Sequence, residues 1–198
     1  MSNHTGPKVK LSRRVGVPIA DTPKHNRNAL KPTGMNTYRR RRMGDYGVRL
    51  NEKQKLRFYY NVQEKQFVRY VKKASQSKGN TGENLVRLLE SRLDNVVRCL
   101  TWAPTIWAAR QLVAHGHVLM NGRKNDRPSC QVRPGDTITL KPRIEKVVRA
   151  NIETLSNSQI PGWLSFDPKT LTATAQDAPA VDALPLEVNL NLIVEFYR

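Results

Sequence analysis

The residues best suited to bind another molecule are hydrogen-bond donors grouped in one short stretch of the chain. They are Arg110, Gln111, His115, His117, Asn121, Arg123 and Lys124. The pattern predicts a short helix over 105–115 that begins after Thr105 and stops at Gly116, followed at once by a strand and an Asn-Gly hairpin turn. A short helix backed by a small sheet, with donors from both, can bind an RNA backbone and exposed base edges.

The sequence offers no comparable set of catalytic residues. It contains no G-x-S-x-G motif, no glycine-rich phosphate loop and no pair of metal-ligand motifs. Cys99 and Cys130 are the only cysteines and lie in different segments. Isolated thiols of this kind are usually buried as small hydrophobic groups, so we expect a reducing compartment. No secretory signal and no membrane span is expected.

Positive charge is concentrated in the first three quarters of the chain. Residues 1–150 hold 32 Lys and Arg against 10 Asp and Glu, whereas residues 151–198 hold 2 against 6. The net charge is +18, and folding brings the excess positive side chains close enough to repel one another. A polyanionic partner that offsets this repulsion is therefore expected. Nucleic acid is favoured over a membrane surface, because the chain has no basic amphipathic anchor or lipidation motif.

Two further segments are candidates for phosphate contact. The first is the arginine run at 39–42, within an N-terminal segment rich in proline and glycine that predicts an irregular arm over 1–43. The second is a helix over 51–74, interrupted near 59–61, whose apolar stripe is interleaved with basic residues. The candidates are Arg39, Arg40, Arg41, Arg42, Lys53, Lys55, Arg57, Arg69, Lys72 and Lys73. The alternative is an ordinary solvated basic face.

The remaining periodicity predicts the elements that hold these residues in place. Leu85, Leu89, Leu93, Val96, Val97 and Leu100 form one face of a helix that begins at Thr81. On its other side Asp94 is spaced to pair with Arg98. Another helix is predicted over 144–156. Strands are predicted at 117–120, 137–140, 163–166, 171–174 and 190–196.

Several strings in the chain match one known family. In the donor-rich region they are SRLDNVV at 91–97, APT at 103–105, ARQLV at 109–113, HGH at 115–117 and NG at 121–122. Elsewhere they are TGPK at 5–8, YG at 46–47, EKQKLR at 52–57, EKQF at 64–67, TGENL at 81–85, IPGWL at 160–164 and IVEFY at 193–197. Over essentially its whole length the chain resembles the bacterial-type ribosomal protein S4 family.

The resemblance implies an α+β fold in three parts. An irregular basic arm over 1–43 precedes a helical domain over 44–90. An inserted helix–sheet RNA-binding domain then occupies 91–198, with its core over 91–150. In it two short helices pack against a small, mostly antiparallel sheet. Arg92 and Asn95, which lie in the best-matched string, join the candidate RNA-binding residues.

The resemblance also implies a function and partners. Such proteins are non-enzymatic constituents of the small ribosomal subunit that bind a junction of its ribosomal RNA early and help nucleate the subunit body. They lie beside ribosomal protein S5 near the messenger RNA entry, where they influence translational accuracy. The expected location is ribosome-bound, in the cytoplasm or in an organelle, with no membrane partner.

The sequence departs from the family at two places. Many relatives bind zinc through a cysteine cluster in the arm, but the matching positions here are Val9 and Ser12 and the arm has no cysteine. We therefore expect no zinc and no other cofactor. Ile106 and Trp107 stand where a basic residue is usual, and we expect Trp107 to pack in the protein rather than stack on a base.

Two other function classes share this RNA-binding module. An RNA-modifying enzyme would need a large catalytic domain, and only residues 151–198 follow the module core. A free regulatory RNA binder would be expected to consist of little more than the module, whereas this chain keeps the basic arm and the helical domain.

Overall fold

The computed structural model describes residues 4, 6–20, 22–29, 31, 43–155, 160–180, 184 and 186–197. The chain divides into two compact units, residues 1–85 with 186–198 and residues 86–185. The second unit is therefore inserted into the first, as the α+β prediction requires. The C-terminal segment from 186 onward falls in the first unit, not with the RNA-binding domain as the sequence prediction had it.

The first unit is helical. Its described helices are α1 (Lys8–Val15), α2 (Pro23–Asn28), α3 (Asp45–Tyr59), α4 (Glu64–Gln76), the start of α5 (Thr81–Glu90) and α9 (Leu190–Phe196). The break between α3 and α4 confirms the predicted interruption, and Asn61 there has a positive φ of 49°. Leu56, Tyr60 and Phe67 are fully buried and form the core of this unit.

Two predictions in this unit are wrong. The arm is not irregular where it is described, because it forms helices α1 and α2. Val15 of α1 is buried, as are Ile19 and Ala29 in the segments that follow the two helices. Residues 190–196 form helix α9 rather than a strand. The side chain of Asn189 accepts hydrogen bonds from the backbone N–H groups of Asn191 and Leu192, which caps the helix, and α9 packs on α3.

The second unit combines the rest of α5 with three helices, one 3₁₀ turn and a sheet. Its elements are α6 (Leu93–Cys99), α7 (Ile106–Ala114), β1 (Val118–Met120), β2 (Arg123–Lys124), β3 (Thr137–Leu140), a 3₁₀ turn (Pro142–Ile144), α8 (Glu145–Thr154), β4 (Leu164–Asp167) and β5 (Thr172–Ala175). The five strands run antiparallel in the order β2-β1-β3-β5-β4.

The predicted apolar face is buried, but it belongs to two helices rather than one, and its residues from Leu93 onward join the hydrophobic core of this unit. Leu89, Leu93 and Val97 are fully buried, as are the other residues of that face. The helix breaks at Arg92, which is extended and pairs with Gln131 as an isolated bridge. The backbone N–H of Leu93 donates to the carbonyl oxygen of Cys130 at 2.8 Å. This bond takes the place of the hydrogen bond that Leu93 would make to the preceding turn in a continuous helix. Trp107 is 5% exposed, which confirms that it packs inside the protein.

None of the helices in the described part of the chain is long and apolar enough to cross a membrane.

A close approach of α5 to α9 makes Gly82 testable. In a helix Ala is normally about 1 kcal/mol more favourable than Gly. Here a β-carbon at residue 82 would lie 2.9 Å from Cβ of Leu190. We expect Gly82→Ala to lower the free energy of unfolding by about 1–3 kcal/mol, measured by guanidinium denaturation of the full chain.

The matched control is Gly47→Ala in α3, where the added carbon meets Cβ of Met43 at an ordinary 3.4 Å. This variant should be as stable as the wild type or more so. Equal stabilisation by both substitutions would contradict the close packing of α5 on α9.

Candidate nucleic-acid interface

The predicted helix–hairpin unit is present with its predicted caps. The side chain of Thr105 accepts a hydrogen bond from the backbone N–H of Ala108, which starts α7. Gly116 ends the turn with a positive φ of 69°, and Asn121 and Gly122 form the hairpin turn with φ values of 52° and 75°. These left-handed conformations favour Gly and Asn, which explains why the sequence signal was reliable.

Cationic side chains converge where α7 meets the hairpin. A β-carbon at Gly116 would overlap Cε of Lys124, so the Lys124 stem lies directly against this glycine. His115 and His117 flank Gly116 in the sequence, and the centroids of their rings are 6.1 Å apart. The backbone N–H of Lys141 donates to the carbonyl oxygen of His117 at 2.9 Å, which brings the segment after β3 alongside.

We call this area the hairpin surface; it comprises His115, His117, Lys124, Lys141 and Arg143. Burial lowers the pKa of His117, and the charges of His115, Lys141 and Arg143 lower it further. Lys141 and Arg143 were missed in the sequence analysis. The available signal was their position just after a strand predicted to pair with the hairpin.

The hairpin tip presents one exposed cation and one residue with a structural role. Arg123 is exposed. Nδ2 of Asn121 donates to Asp136 at 2.8 Å, and Oδ1 of Asn121 accepts from the backbone N–H of Thr137 at 2.8 Å. Asn121 therefore holds the turn against β3, and we remove it from the candidate RNA contacts. Gln111 is exposed on α7.

Arg92 was predicted to bind RNA, but the structure buries it in an ion pair. Its Nε donates to Oδ1 of Asp94 at 3.0 Å and its Nη2 donates to Oδ2 at 2.6 Å. Arg92 is 1% exposed and Asp94 is fully buried. Nη1 of Arg110 lies 3.7 Å from the same Oδ2, with 14% of its side chain exposed. Asp94 thus pairs with Arg92 and Arg110, not with Arg98 as the helical spacing predicted.

Asn95 is also structural rather than exposed to a ligand. Its Nδ2 donates to the carboxylate of Glu90 at 2.7 Å, and its Oδ1 accepts from Nη2 of Arg98 at 2.8 Å. Neighbouring Cys99 is shielded, and burial raises the pKa of its thiol to about 11. The Cys99 thiol is therefore protonated at neutral pH. Both Cys99 and Cys130 are half-buried, whereas the sequence analysis expected buried thiols.

In the first unit, Lys53 is likewise withdrawn from the surface. It is 4% exposed, and its Nζ donates to Oε1 of Glu64 at 2.9 Å and lies 4.4 Å from the ring centre of Phe196. The hydroxyl of Tyr197 donates to the same oxygen at 2.7 Å. Burial raises the pKa of Glu64, but the bonds from Tyr197 and Lys53 and the charges of Lys53 and Arg57 outweigh it and hold the pKa below its usual value.

Lys55 and Arg57 are engaged within the same helix bundle. Lys55 forms an ion pair with Glu52. The guanidinium of Arg57 donates to Gln54, to Glu64 and to the carbonyl oxygen of Val62. Both side chains are partly exposed, but Lys55 is paired within α3 and Arg57 links α3 to α4, so they are weaker candidates for phosphate contact.

The exposed cations of α4 remain available. Arg69, Lys72 and Lys73 are exposed opposite the buried Phe67 and Val71, and in the described part of the chain no carboxylate lies within 4 Å of these three cations. Lys65, which the sequence analysis did not include among its candidates, is exposed on the same helix. We call these four residues the α4 face. The predicted contacts of Arg39, Arg40, Arg41 and Arg42 lie outside the described residues.

The arm does not fit a zinc ion. Ser12 stands at one position where relatives have cysteine, and its Oγ lies 2.6 Å from Nδ1 of His25 and accepts from the backbone N–H of Ile19. The hydroxyl is therefore committed to a buried hydrogen bond. His4 and His25 are the only histidines in the arm and it contains no cysteine, which is too few ligands for a structural zinc site.

The buried ion pair predicts that Asp94 stabilises the fold rather than the bound RNA. Asp94→Ala leaves Arg92 charged and buried without its carboxylate, and we expect a loss of about 3–5 kcal/mol in the free energy of unfolding, measured by denaturation.

Arg123→Ala, which removes an exposed charge, is the control and should change the stability by less than about 0.5 kcal/mol. An Asp94→Ala protein of wild-type stability that had lost only RNA affinity would return Arg92 and Asp94 to the interface.

Comparisons with known proteins agree with this architecture. Residues 3–90 match the ribosomal protein S4/S9 N-terminal domain, and residues 91–138 match the S4 domain. The small ribosomal subunit protein uS4 of Picosynechococcus is 44% identical, with 100% of this chain and 98% of that protein aligned. The uS4 proteins of Synechococcus elongatus and Persephonella marina are 45% and 44% identical over the whole of this chain and 98% and 99% of their own lengths.

The two domain matches meet at residues 90 and 91, between α5 and the buried Arg92–Asp94 pair. The chain therefore belongs to the uS4 family of small ribosomal subunit proteins, which are structural, RNA-binding constituents of the ribosome and not enzymes.

Proposed function

We propose that this protein binds a junction of small-subunit ribosomal RNA through the hairpin surface and the α4 face, and that this binding helps nucleate assembly of the subunit body. The observation that carries the proposal is the convergence of Lys124, Lys141 and Arg143 with two histidines at the end of α7. In the described part of the chain, none of these three cations forms an ion pair.

Unpaired cations at this density favour a phosphate ligand. Each phosphate that they neutralise releases condensed counterions, which supplies most of the affinity of basic proteins for nucleic acid. The flat faces of the hairpin and α7 suit the shallow minor groove and the splayed bases of a folded RNA better than they suit a deep small-molecule pocket.

The two surfaces have different roles in this proposal. The α4 face lies along one helix and has only Lys and Arg, so it would track phosphates and orient the protein. The hairpin surface, together with Arg110, Gln111 and Arg123, combines cations with donors held by α7 and β2. It would recognise the local shape of the junction.

Family membership supports a proposal for assembly and decoding roles. We propose that the protein joins the RNA early, contacts ribosomal protein S5 and lies near the messenger RNA entry of cytoplasmic ribosomes, where it influences accuracy. Reconstitution of small subunits with this protein added first or last tests the assembly role. Equal yields in both orders would contradict nucleation.

The proposal is tested by titrating the full chain with the ribosomal RNA junction and with an unrelated RNA of equal length over a salt series. A preference for the junction that survives at high salt supports geometric recognition. Affinities that are equal, and that fall together as salt rises, would contradict it.

Removing charge from the hairpin surface should reduce that preference. We expect Lys124→Gln with Lys141→Gln to weaken binding to the junction by about 1–3 kcal/mol more than binding to the unrelated RNA, because these cations act from fixed positions. The measurement is the salt titration described above.

The matched control is Lys146→Gln with Lys169→Gln, which removes the same charge from two exposed residues outside the hairpin surface. An equal loss of preference in both double variants would show that only the net charge matters.

Removing charge from the α4 face should act differently. Lys72→Gln with Lys73→Gln should weaken binding to the junction and to the unrelated RNA by the same factor. It should also flatten the slope of log affinity against log salt by roughly 0.7–0.9 per lost phosphate contact. The Lys146 and Lys169 double variant again serves as the control. A loss of affinity for the junction alone would show that the α4 face takes part in shape recognition.

A further inference from the structure

The hairpin surface contains two neighbouring histidines. His115 is exposed at the end of α7 and His117 is half-buried at the start of β1, with their ring centroids 6.1 Å apart. Histidine is the side chain whose ordinary pKa lies near 6.5, so modest changes in its surroundings alter its charge at physiological pH.

Every charged group known to act on His117 is positive or becomes so on protonation. His115 comes from α7, Lys141 follows β3 and Arg143 lies in the 3₁₀ turn. Lys124 of β2 lies against Gly116 between the two histidines. Asp136, on the segment before β3, is bonded to Asn121 and to the backbone N–H of Arg133, and it is not among the charges acting on His117.

This arrangement favours a neutral imidazole at His117 while the surface is empty of anions. Burial opposes the charged form of this ring, and protonation would place a new positive charge beside the existing cations. A phosphodiester group seated on Lys124, Lys141 and Arg143 would reverse the balance, because its negative charge and its oxygens stabilise the protonated ring.

We propose that the hairpin surface is a proton-linked RNA phosphate site, in which His117 takes up a proton from solvent when a phosphodiester backbone binds. The inference rests on the proposed function, since it requires RNA to occupy this surface. The proton adds to the unprotonated ring nitrogen, and the resulting imidazolium donates to a phosphate oxygen.

The direction of the pH dependence follows from this. On this proposal the bound-state pKa of His117 lies above its free-state pKa, so the additional affinity is fully present below the free-state pKa. It is lost as the pH rises through the bound-state pKa. RNA binding should therefore tighten on acidification through the range near pH 6.5, by up to about tenfold for each pKa unit gained on binding.

The test is calorimetric titration of the full chain with the ribosomal RNA junction near pH 6.5, in buffers that differ in ionisation enthalpy. Net proton uptake appears as a dependence of the observed enthalpy on the buffer. We expect uptake in the wild type, its loss in His115→Gln with His117→Gln, and its retention in His4→Gln, which removes an exposed histidine from the arm.

A second variant separates proton linkage from damage to the surface. Lys141→Gln with Arg143→Gln keeps both histidines but removes two of the charges that lower the pKa of His117. In this variant the free-state pKa of His117 should rise. Proton uptake on RNA binding should therefore fall, although both histidines remain. The circular dichroism spectrum of each variant, compared with that of the wild type, checks that it is folded.

The outcomes distinguish the two proposals. Binding to the junction without proton uptake overturns the proton-linked site and leaves the RNA-binding function standing. Uptake that persists in the histidine double variant also overturns the site, because the protons then go to the RNA or to another group. Failure to prefer the junction over unrelated RNA overturns both.

Discussion

The buried ion pair between Arg92 and Asp94 sets the geometry of the RNA-binding unit. Arg92 is extended at the break between α5 and α6, and its guanidinium binds the carboxylate at the start of α6. Arg110 of α7 approaches the same oxygen, so one carboxylate links two helices. Since a buried charge without its partner is strongly destabilising, this arrangement persists only when all its members are in place. The orientation of α7, and with it the hairpin surface, depends on that carboxylate.

A comparable use of charge holds the helical unit together. Lys53 lies between Glu64 and the aromatic rings of Phe196 and Tyr197, which attaches the end of α9 to α3 and α4. In both units, therefore, some of the basic residues stabilise the fold. The charge available for a polyanion is correspondingly smaller than the net charge suggests. Part of it lies on the hairpin surface and the α4 face.

The two kinds of cation follow different physical rules. A buried Arg or Lys is retained because its hydrogen bonds and its partner compensate for desolvation. Exposed cations such as Lys124 and Lys72 are solvated and repel each other, and a phosphate ligand relieves that repulsion. His117 of the hairpin surface lies between these cases. Burial and the neighbouring cations lower its pKa, and the proton-linked role that we propose for it requires that a bound anion reverses this effect.

By itself, the sequence determined the features that depend on neighbouring residues. Thr105, Gly116 and Asn121-Gly122 specified the cap, the helix stop and the hairpin because their conformational preferences act locally. The spacing of Leu85 to Leu100 likewise predicted the core face, and the matched strings indicated the family. Only the tertiary structure decided which cations are free to bind RNA and where the C-terminal segment packs. Lys53 and Arg92 look like surface residues in the sequence, and α9 reads as a strand. The burial of Lys53 and the packing of α9 depend on residues distant in the chain, such as Tyr197 with Glu64. Arg92 pairs with nearby Asp94, but its extended backbone pairs with the distant Gln131. Local patterns carry no information about such distant contacts.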